Sequence, residues 1–192
     1  MSAIDSVTAL IVVDLQRGIA IPPTVHPVAE VLANAVSLAS RFRSLGLPVV
    51  LVNVEGGAPG RSEQPAPASR PEGWTELLPE LGRRVEDITI TKRTWGAFTG
   101  TGLDAILRER EVTNVVLAGI ATSMGVESTA RQAHELGYNV TIALDAVTDR
   151  SPETHLNSTE RIFPKLAETG STSEIMALLA DRRGPDAVVV EA

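Results

Sequence analysis

Buried-strand segments that alternate with helical segments constrain the fold of this chain more than any other feature. Most strand segments are short runs of aliphatic and β-branched residues, and the helical segments repeat their apolar residues at helical spacing. Continuous apolar strands are typical of a parallel sheet that is covered on both faces. The strand segments are 9–13, 47–53, 87–91, 114–121 and 139–144, and the helical segments are 27–45, 102–110, 126–136, 152–166 and 173–183. We therefore predict an α/β fold: a single-domain, three-layer α/β/α arrangement around a central parallel sheet of about six strands.

Length and charge set the domain organisation and exclude some partners. The 192 residues fit one domain, over 1–184, with a C-terminal tail at 185–192 that could instead dock on a partner subunit. A net charge of −7 gives no basic footprint for nucleic acid or for an anionic membrane. Neither a signal peptide nor an apolar stretch of transmembrane length is recognisable. We expect a cytoplasmic protein with no nucleic-acid partner and no membrane partner.

The segment 55–71 differs in character from its surroundings, because it carries three glycines and four prolines between two strand segments. A long loop of this kind is either a mobile surface excursion or a lid over an active site. The sequence leaves both readings open.

Polar residues follow the strand segments at the edge where α/β sheets bind ligands. Asp14 follows the first strand, Lys92 the third, 122–125 the fourth and Asp145 the fifth. Position alone is weak support, because a charged residue at a strand end often only marks where the chain meets water. Asp145 in particular could simply cap or orient a loop.

The segment 119–131 reads as a buried strand that turns sharply into a helix. Hydrolases often place a nucleophile at such a turn, where backbone N–H groups can hold an oxyanion. Gly125 occupies that position here, and the chain has no cysteine. Glycine would be explained if the turn needed a positive φ or if substrate filled the space of a side chain.

Three blocks in the same order resemble the isochorismatase-like cysteine hydrolase superfamily: 10–16, 92–104 and 116–130. The resemblance implies a Rossmann-type fold and a catalytic triad in which Asp14 and Lys92 match the family's Asp and Lys. Gly125 falls where the family has its nucleophilic Cys. A non-proline cis peptide at 120–121 or 121–122 is also implied, with an oxyanion site at the amides of Ala121 and Gly125. Further residues in these blocks are expected to bind substrate: Gln16, Trp95, Phe98, Ala121 and Thr122, although Trp95 and Phe98 could instead pack beneath the 55–71 loop.

The resemblance also bears on metals. The nicotinamidase branch of this superfamily supplies an Asp and two His between its second and third strands, but the corresponding segment 55–81 has no histidine here. The three histidines, His26, His134 and His155, are scattered and read as exposed or capping residues. We expect neither a metal nor another cofactor.

Glycine cannot form the thioester on which cysteine hydrolases depend. Vinyl-ether hydrolysis needs no nucleophilic side chain, and the resemblance to isochorismatases suggests it, with Asp14 as the general acid and Lys92 as its charge partner. The alternative is a catalytically inactive protein that binds a small anion. Candidate anion-binding side chains are those of Arg17, Arg61, Arg70 and Arg93. We expect a small-molecule substrate and assembly as a homodimer or a higher homo-oligomer.

Overall fold

A computed structural model describes residues 1–63 and 69–181, and it confirms the predicted three-layer α/β/α fold. All pairings in its sheet are parallel, and the strand order is β3-β2-β1-β4-β5-β6. The strands are β1 (Thr8–Val13), β2 (Val49–Val54), β3 (Ile88–Lys92), β4 (Asn114–Ile120), β5 (Asn139–Thr148) and β6 (Glu168–Gly170). The helices are α1 (Val28–Ser44), α2 (Leu103–Arg108), α3 (Glu127–Glu135), α4 (Pro152–Asn157) and α5 (Thr172–Asp181).

Successive side chains of the central strand β1 point into two separate cores. Ile11 and Val13 pack with the layer formed by α2 and α3, whereas Leu10 and Val12 pack with the layer formed by α1 and α5. All six residues of β1 are buried, which explains why its sequence is continuously apolar rather than alternating. None of the helices in the described part of the chain is long and apolar enough to cross a membrane.

The end of β5 differs from the prediction. The sequence suggested that this strand stops before Asp145, but it continues to Thr148. A register shift explains the difference: Leu117 pairs with Ile142, but Gly119 pairs with Val147, so β5 contains extra residues opposite β4. Asp145 lies in this irregular stretch and caps α5 by accepting hydrogen bonds from the N–H of Thr172 at 2.7 Å and from its hydroxyl at 2.8 Å.

Other boundaries also differ. The predicted helix 152–166 consists of α4, a π-helical turn at Ser158–Ile162 and a 3-10 turn at Phe163–Lys165. The edge strand β6 has only three residues and was not recognised as a separate segment in the sequence. Part of the predicted lid, 64–68, and the whole predicted tail, 185–192, lie outside the described residues.

The strand order places a crevice at the carboxyl ends of β1 and β4. The chain moves outward from β1 through β2 to β3 and then returns to β4 on the other side of β1. Loops that leave β1 and β4 therefore diverge, and ligands bind at such a switch point in open α/β sheets. Gly119 allows the two strands to approach here, since its φ is +126° and a Cβ would lie 2.0 Å from the Val13 carbonyl oxygen.

Candidate active site

The ends of β1 and β3 bring Asp14 and Lys92 together at the bottom of this crevice. Lys92 Nζ lies 2.7 Å from Asp14 Oδ2, and both side chains are almost completely buried. The ammonium also donates to the carbonyl oxygens of Trp95 at 2.7 Å and Thr94 at 3.3 Å. Asp14 has a left-handed backbone, with a φ of 52°, and its N–H donates to Val52 O. Three partners thus fix the ammonium beside the carboxyl group.

The second carboxyl oxygen of Asp14 is left without a partner. Asp14 Oδ1 is the only buried side-chain nitrogen or oxygen of the described residues that makes no hydrogen bond. Burial raises the pKa of Asp14 from 3.8 to about 6, against the opposing influence of the Lys92 charge and hydrogen bond. A carboxyl group with this pKa holds a proton in mildly acidic solution and releases it near neutrality. It can therefore act as a general acid or a general base.

Gly125 lies beside this carboxyl group and has an ordinary backbone. Its φ is not in the left-handed region, so the explanation that the turn needs a positive φ is wrong. Space is what distinguishes the position: a Cβ here would lie 3.0 Å from both Asp14 Oδ2 and a methyl carbon of Val13, and 3.3 Å from Ile120 O. A side chain at 125 would fit only if these neighbours moved by a few tenths of an ångström.

The chain enters the turn at Thr122–Val126 through a cis peptide between Ile120 and Ala121, at the first of the two positions that the family resemblance implied. Thr122 does not face the crevice. It is fully buried, and its hydroxyl lies 2.9 Å from His155 Nδ1. The prediction that Thr122 contacts substrate is therefore not supported by its position, which is behind the turn.

A cavity of about 640 Å³ opens above the Asp14–Lys92 pair. Of the residues predicted to bind substrate, Trp95 and Ala121 line it, together with Gly125 from the turn. Trp95 is 60% exposed, so its ring stands at the mouth of the cavity rather than in the core.

Gln16 and Phe98, also predicted to bind substrate, lie elsewhere. The Gln16 side chain is buried and bonds backbone groups, receiving the N–H of Val54 and donating to the carbonyl oxygens of Val54 and Trp74. It therefore ties the loop after β1 to β2. Phe98 is buried in the core beside α3, where its ring centroid lies 5.8 Å from that of Tyr138.

Two arginines line the cavity, and sequence reasoning named only one of them. Arg70 stacks on the Trp74 ring, 4.1 Å from the centroid, and Arg150 directly follows Asp149 beyond the end of β5. Within the described residues, neither guanidinium is paired with a carboxylate. Arg150 was missed because the end of β5 was predicted too early.

The other candidate arginines are not part of the cavity lining. Arg17 pairs with Glu76, Arg93 pairs with Glu55, and Arg61 is exposed away from the lining residues. Trp74 was also missed in the sequence. Its indole lies against Gly18, where a Cβ would come within 2.6 Å of the ring.

The histidines are not all scattered, as the sequence suggested. His26 and His155 contact each other in a T-shaped arrangement with ring centroids 4.9 Å apart, and His155 is buried. Burial and the neighbouring His26 lower the pKa of His155, which favours a neutral ring. Among residues 1–63 and 69–181, no three His, Cys, Asp or Glu side chains are grouped so that they could hold a metal ion.

Comparison with known proteins agrees with this geometry. The isochorismatase domain family matches residues 8–174. The chain is 44% identical over 180 residues to the uncharacterised isochorismatase family protein YecD of Escherichia coli O157:H7, covering 90% of this chain and 96% of that protein. It is 30% identical to the ureidoacrylate amidohydrolase RutB of Pseudomonas syringae pv. syringae, over 76% of this chain and 72% of that protein.

A solved structure of an isochorismatase family protein from Burkholderia thailandensis superposes with a TM-score of 0.89. It is 37% identical, and the match covers 93% of this chain and 98% of that one. The chain therefore belongs to the isochorismatase family.

Proposed function

We propose that this member of the isochorismatase family is a hydrolase in which Asp14 acts as a general acid and no covalent intermediate forms on the protein. The observation that carries the proposal is the state of Asp14: it is buried, one oxygen contacts Lys92, and the other is unpartnered beside a cavity. Its raised pKa supports proton donation close to neutral pH.

Gly125 supports the non-covalent part of the proposal. We infer that it stands where the cysteine hydrolases of this superfamily have their nucleophile. Its missing side chain leaves space beside Asp14 Oδ2 but offers no group that could attack a substrate. The chain has no cysteine elsewhere that could replace it.

Hydrolysis of a vinyl ether fits these groups. Asp14 transfers its proton to the enol-ether carbon, and the substrate becomes an oxocarbenium ion. Water then adds to the cationic carbon, and the Asp14 carboxylate accepts the proton that the water loses. The resulting hemiketal separates into a ketone and an alcohol. Lys92 stabilises the carboxylate between these two transfers, and we propose that the amides of Ala121 and Gly125 bind a carboxylate oxygen of the substrate.

The cavity charges favour an acid as the substrate. Three cationic side chains line the cavity against two acidic ones: Arg70, Lys92 and Arg150 against Asp14 and Asp149. Lys92 is paired with Asp14, whereas neither arginine forms an ion pair with a carboxylate of the described residues. Guanidinium groups bind carboxylates through paired hydrogen bonds. We propose that these two arginines bind the carboxylate groups of the substrate, and isochorismate is one dianionic vinyl ether of this kind.

Turnover assays test the reaction. Isochorismate, simple vinyl ethers, esters and amides should be incubated with the protein and the products identified by mass spectrometry; amides belong to the panel because one relative is an amidohydrolase. Asp14→Asn should abolish turnover. Asp87→Asn is the matched control, since Asp87 is buried in an ion pair with Arg43 at the opposite edge of the sheet. Turnover that survives Asp14→Asn would remove Asp14 from the mechanism.

Binding assays test the substrate class. Benzoate is a stable carboxylate probe, and its affinity can be measured by calorimetry. Arg150→Gln and Arg70→Gln should each weaken binding about tenfold or more, because each removes a charge-assisted contact worth about 1.5–3 kcal/mol. Arg17→Gln, whose partner Glu76 lies outside the cavity lining, should leave the affinity unchanged. Equal affinities in all variants would contradict the arginine assignment.

The second candidate function is a small-anion-binding protein without catalysis. The same unpaired arginines and the absence of a nucleophile at Gly125 favour it. Binding of carboxylates without conversion of any substrate in the panel would select this function over the hydrolase.

A further inference from the structure

The carboxylate of Asp149 is almost completely buried in the lining of the cavity and joins two parts of its wall. Asp149 Oδ2 accepts the N–H and the hydroxyl of Ser123, each at 2.7 Å, and Oδ1 accepts the N–H of Arg150, also at 2.7 Å. Asp149 is only 5% exposed. Ionised acceptors form shorter and stronger hydrogen bonds than neutral ones. A single side chain therefore holds both the turn that contains Ser123 and the backbone that carries Arg150.

Asp149 is itself held in place by the loop before α1. Val25 N donates to Asp149 O at 2.8 Å, and the N–H of His26 donates to the Thr148 hydroxyl, also at 2.8 Å. His26 Nδ1 lies 3.1 Å from Val147 O. The last residues of β5 are thus fixed on one side by this loop. The backbone of Asp149 is therefore held in place where its carboxylate accepts the hydrogen bonds of Ser123.

The turn that Asp149 holds forms the wall of the cavity beside the Asp14 carboxyl group. Ser123 lies two residues before Gly125, and both line the cavity with Asp14. Gly125 is buried and lies so close to Asp14 that an added Cβ would be 3.0 Å from the carboxyl oxygen Oδ2. A displacement of the turn would therefore open space beside Asp14 and admit more water to its carboxyl group.

We propose that Asp149 is a positioning residue: through Ser123 it holds the turn against the side of Asp14, and through its contact with the Arg150 amide it fixes the anion-binding side of the same cavity. The inference rests on the proposed function, in which Asp14 is the acid and Arg150 binds the substrate. It adds one side chain, that of Asp149, which fixes the positions of the chain segments around Asp14 and Arg150 relative to each other.

Direct titration of Asp14 tests the proposal without a known substrate. The side-chain carboxyl carbons of aspartate can be labelled with ¹³C and followed by NMR against pH, and the Asp14 signal is identified by its absence in Asp14→Asn. In the unchanged protein the midpoint should lie at about 6. In Asp149→Asn it should fall by about one pH unit or more, since water entry weakens the desolvation that raises the pKa.

Two further variants separate positioning from other effects. Ser123→Ala changes no charge and removes one of the three hydrogen bonds, so it should lower the midpoint by a smaller amount. Asp145→Asn is the matched control, because Asp145 also lies in β5 and accepts an N–H and a hydroxyl from one residue, Thr172, away from the cavity. Both of these bonds go to one oxygen, which Asn retains, so this variant removes a charge from the same strand without removing an acceptor. It should leave the Asp14 midpoint within about 0.3 pH units of 6, an allowance for weak long-range effects.

The outcomes distinguish this inference from the proposed function. A normal Asp14 midpoint near 4 in the unchanged protein would contradict the proposed function itself. A midpoint of about 6 that stays in place in Asp149→Asn and Ser123→Ala would refute the positioning role alone. Equal shifts in Asp149→Asn and Asp145→Asn would also refute it, because general loosening of the fold would then be the cause. Removing the negative charge of Asp149 also lowers the Asp14 pKa, so Ser123→Ala, which leaves that charge in place, is the deciding variant. A shift in Asp149→Asn without any shift in Ser123→Ala would be explained by the charge and would refute the positioning role.

Discussion

Replacing Asp14 with Asn should make the protein more stable relative to the unchanged chain as the pH rises. The reason is that burial raises the pKa of Asp14 from 3.8 to about 6, even though Lys92 lies 2.7 Å away. Asn has nearly the same shape, cannot ionise and tolerates the left-handed backbone at this position. The substitution therefore isolates the free-energy cost of ionising this carboxyl group in the folded state.

The sign and size of the effect follow from proton linkage. Between pH 3.8 and about 6 the folded state holds a proton on Asp14 that the unfolded state has lost, so the free energy of unfolding falls as the pH rises. The full difference corresponds to about 3 kcal/mol, since one pKa unit equals about 1.36 kcal/mol. Between about pH 4 and about pH 7.5, roughly 2 to 3 kcal/mol of it should appear. Asp14→Asn has no ionisable group at this position, so its free energy of unfolding does not show this decrease.

Urea unfolding of both proteins over this pH range measures the prediction. The quantity to plot is the free energy of unfolding of Asp14→Asn minus that of the unchanged protein, because titrating groups distant from position 14 cancel in the difference. The difference should increase with pH. If the difference decreases with pH, the Lys92 charge lowers the pKa of Asp14 more than burial raises it, and that pKa lies below 3.8. Asp14 would then not be a general acid near neutral pH. Parallel curves would also refute the reasoning.

Three other results are expected. Gly18→Ala should displace the Trp74 indole, because the added Cβ would lie 2.6 Å from the ring. The affinity for benzoate, measured by calorimetry, should therefore fall. An unchanged affinity would show that the position of Trp74 does not affect anion binding. Gly125→Cys should lower the free energy of unfolding by about 1–3 kcal/mol because of overpacking, as measured by urea unfolding. Its thiol should react with iodoacetamide faster than a free cysteine, since a helix N-terminus and Lys92 lower thiol pKa values. A rate equal to that of a free cysteine would argue against a nucleophile position. Light scattering should give at least twice the chain mass of 20.3 kDa, and a monomer at micromolar concentration would contradict assembly.

The sequence was sufficient to predict the fold and the meeting of Asp14 with Lys92. The strand β1 is covered on both faces and continuously apolar, so its end is visible at the first polar residue, Asp14. The strand β3 alternates instead and ends with Lys92, and parallel strand ends share one edge of the sheet. The same rule failed for β5, because a register shift lets Asp145 stand inside the strand. Asp149 and Arg150, at the true end, were missed for that reason.

Residues of the recognised sequence blocks were harder to assign. Gln16 and Thr122 lie in these blocks beside cavity residues, but their side chains bond buried backbone or His155. Alternate residues at a strand end or turn face opposite directions, and only the three-dimensional path of the chain decides which of them faces the cavity. Trp74 and Arg70 come from a loop, where no periodicity indicates the direction of a side chain.

The crowding around Gly125 also bears on how such proteins diverge. No backbone requirement demands glycine at this position, yet Asp14 and Val13 occupy the volume that a larger residue would need. A mutation that introduces a nucleophile here would require Asp14 and Val13 to move by a few tenths of an ångström. Covalent chemistry on this scaffold would thus begin with a loss of stability, and a second change that relieves the crowding would recover it.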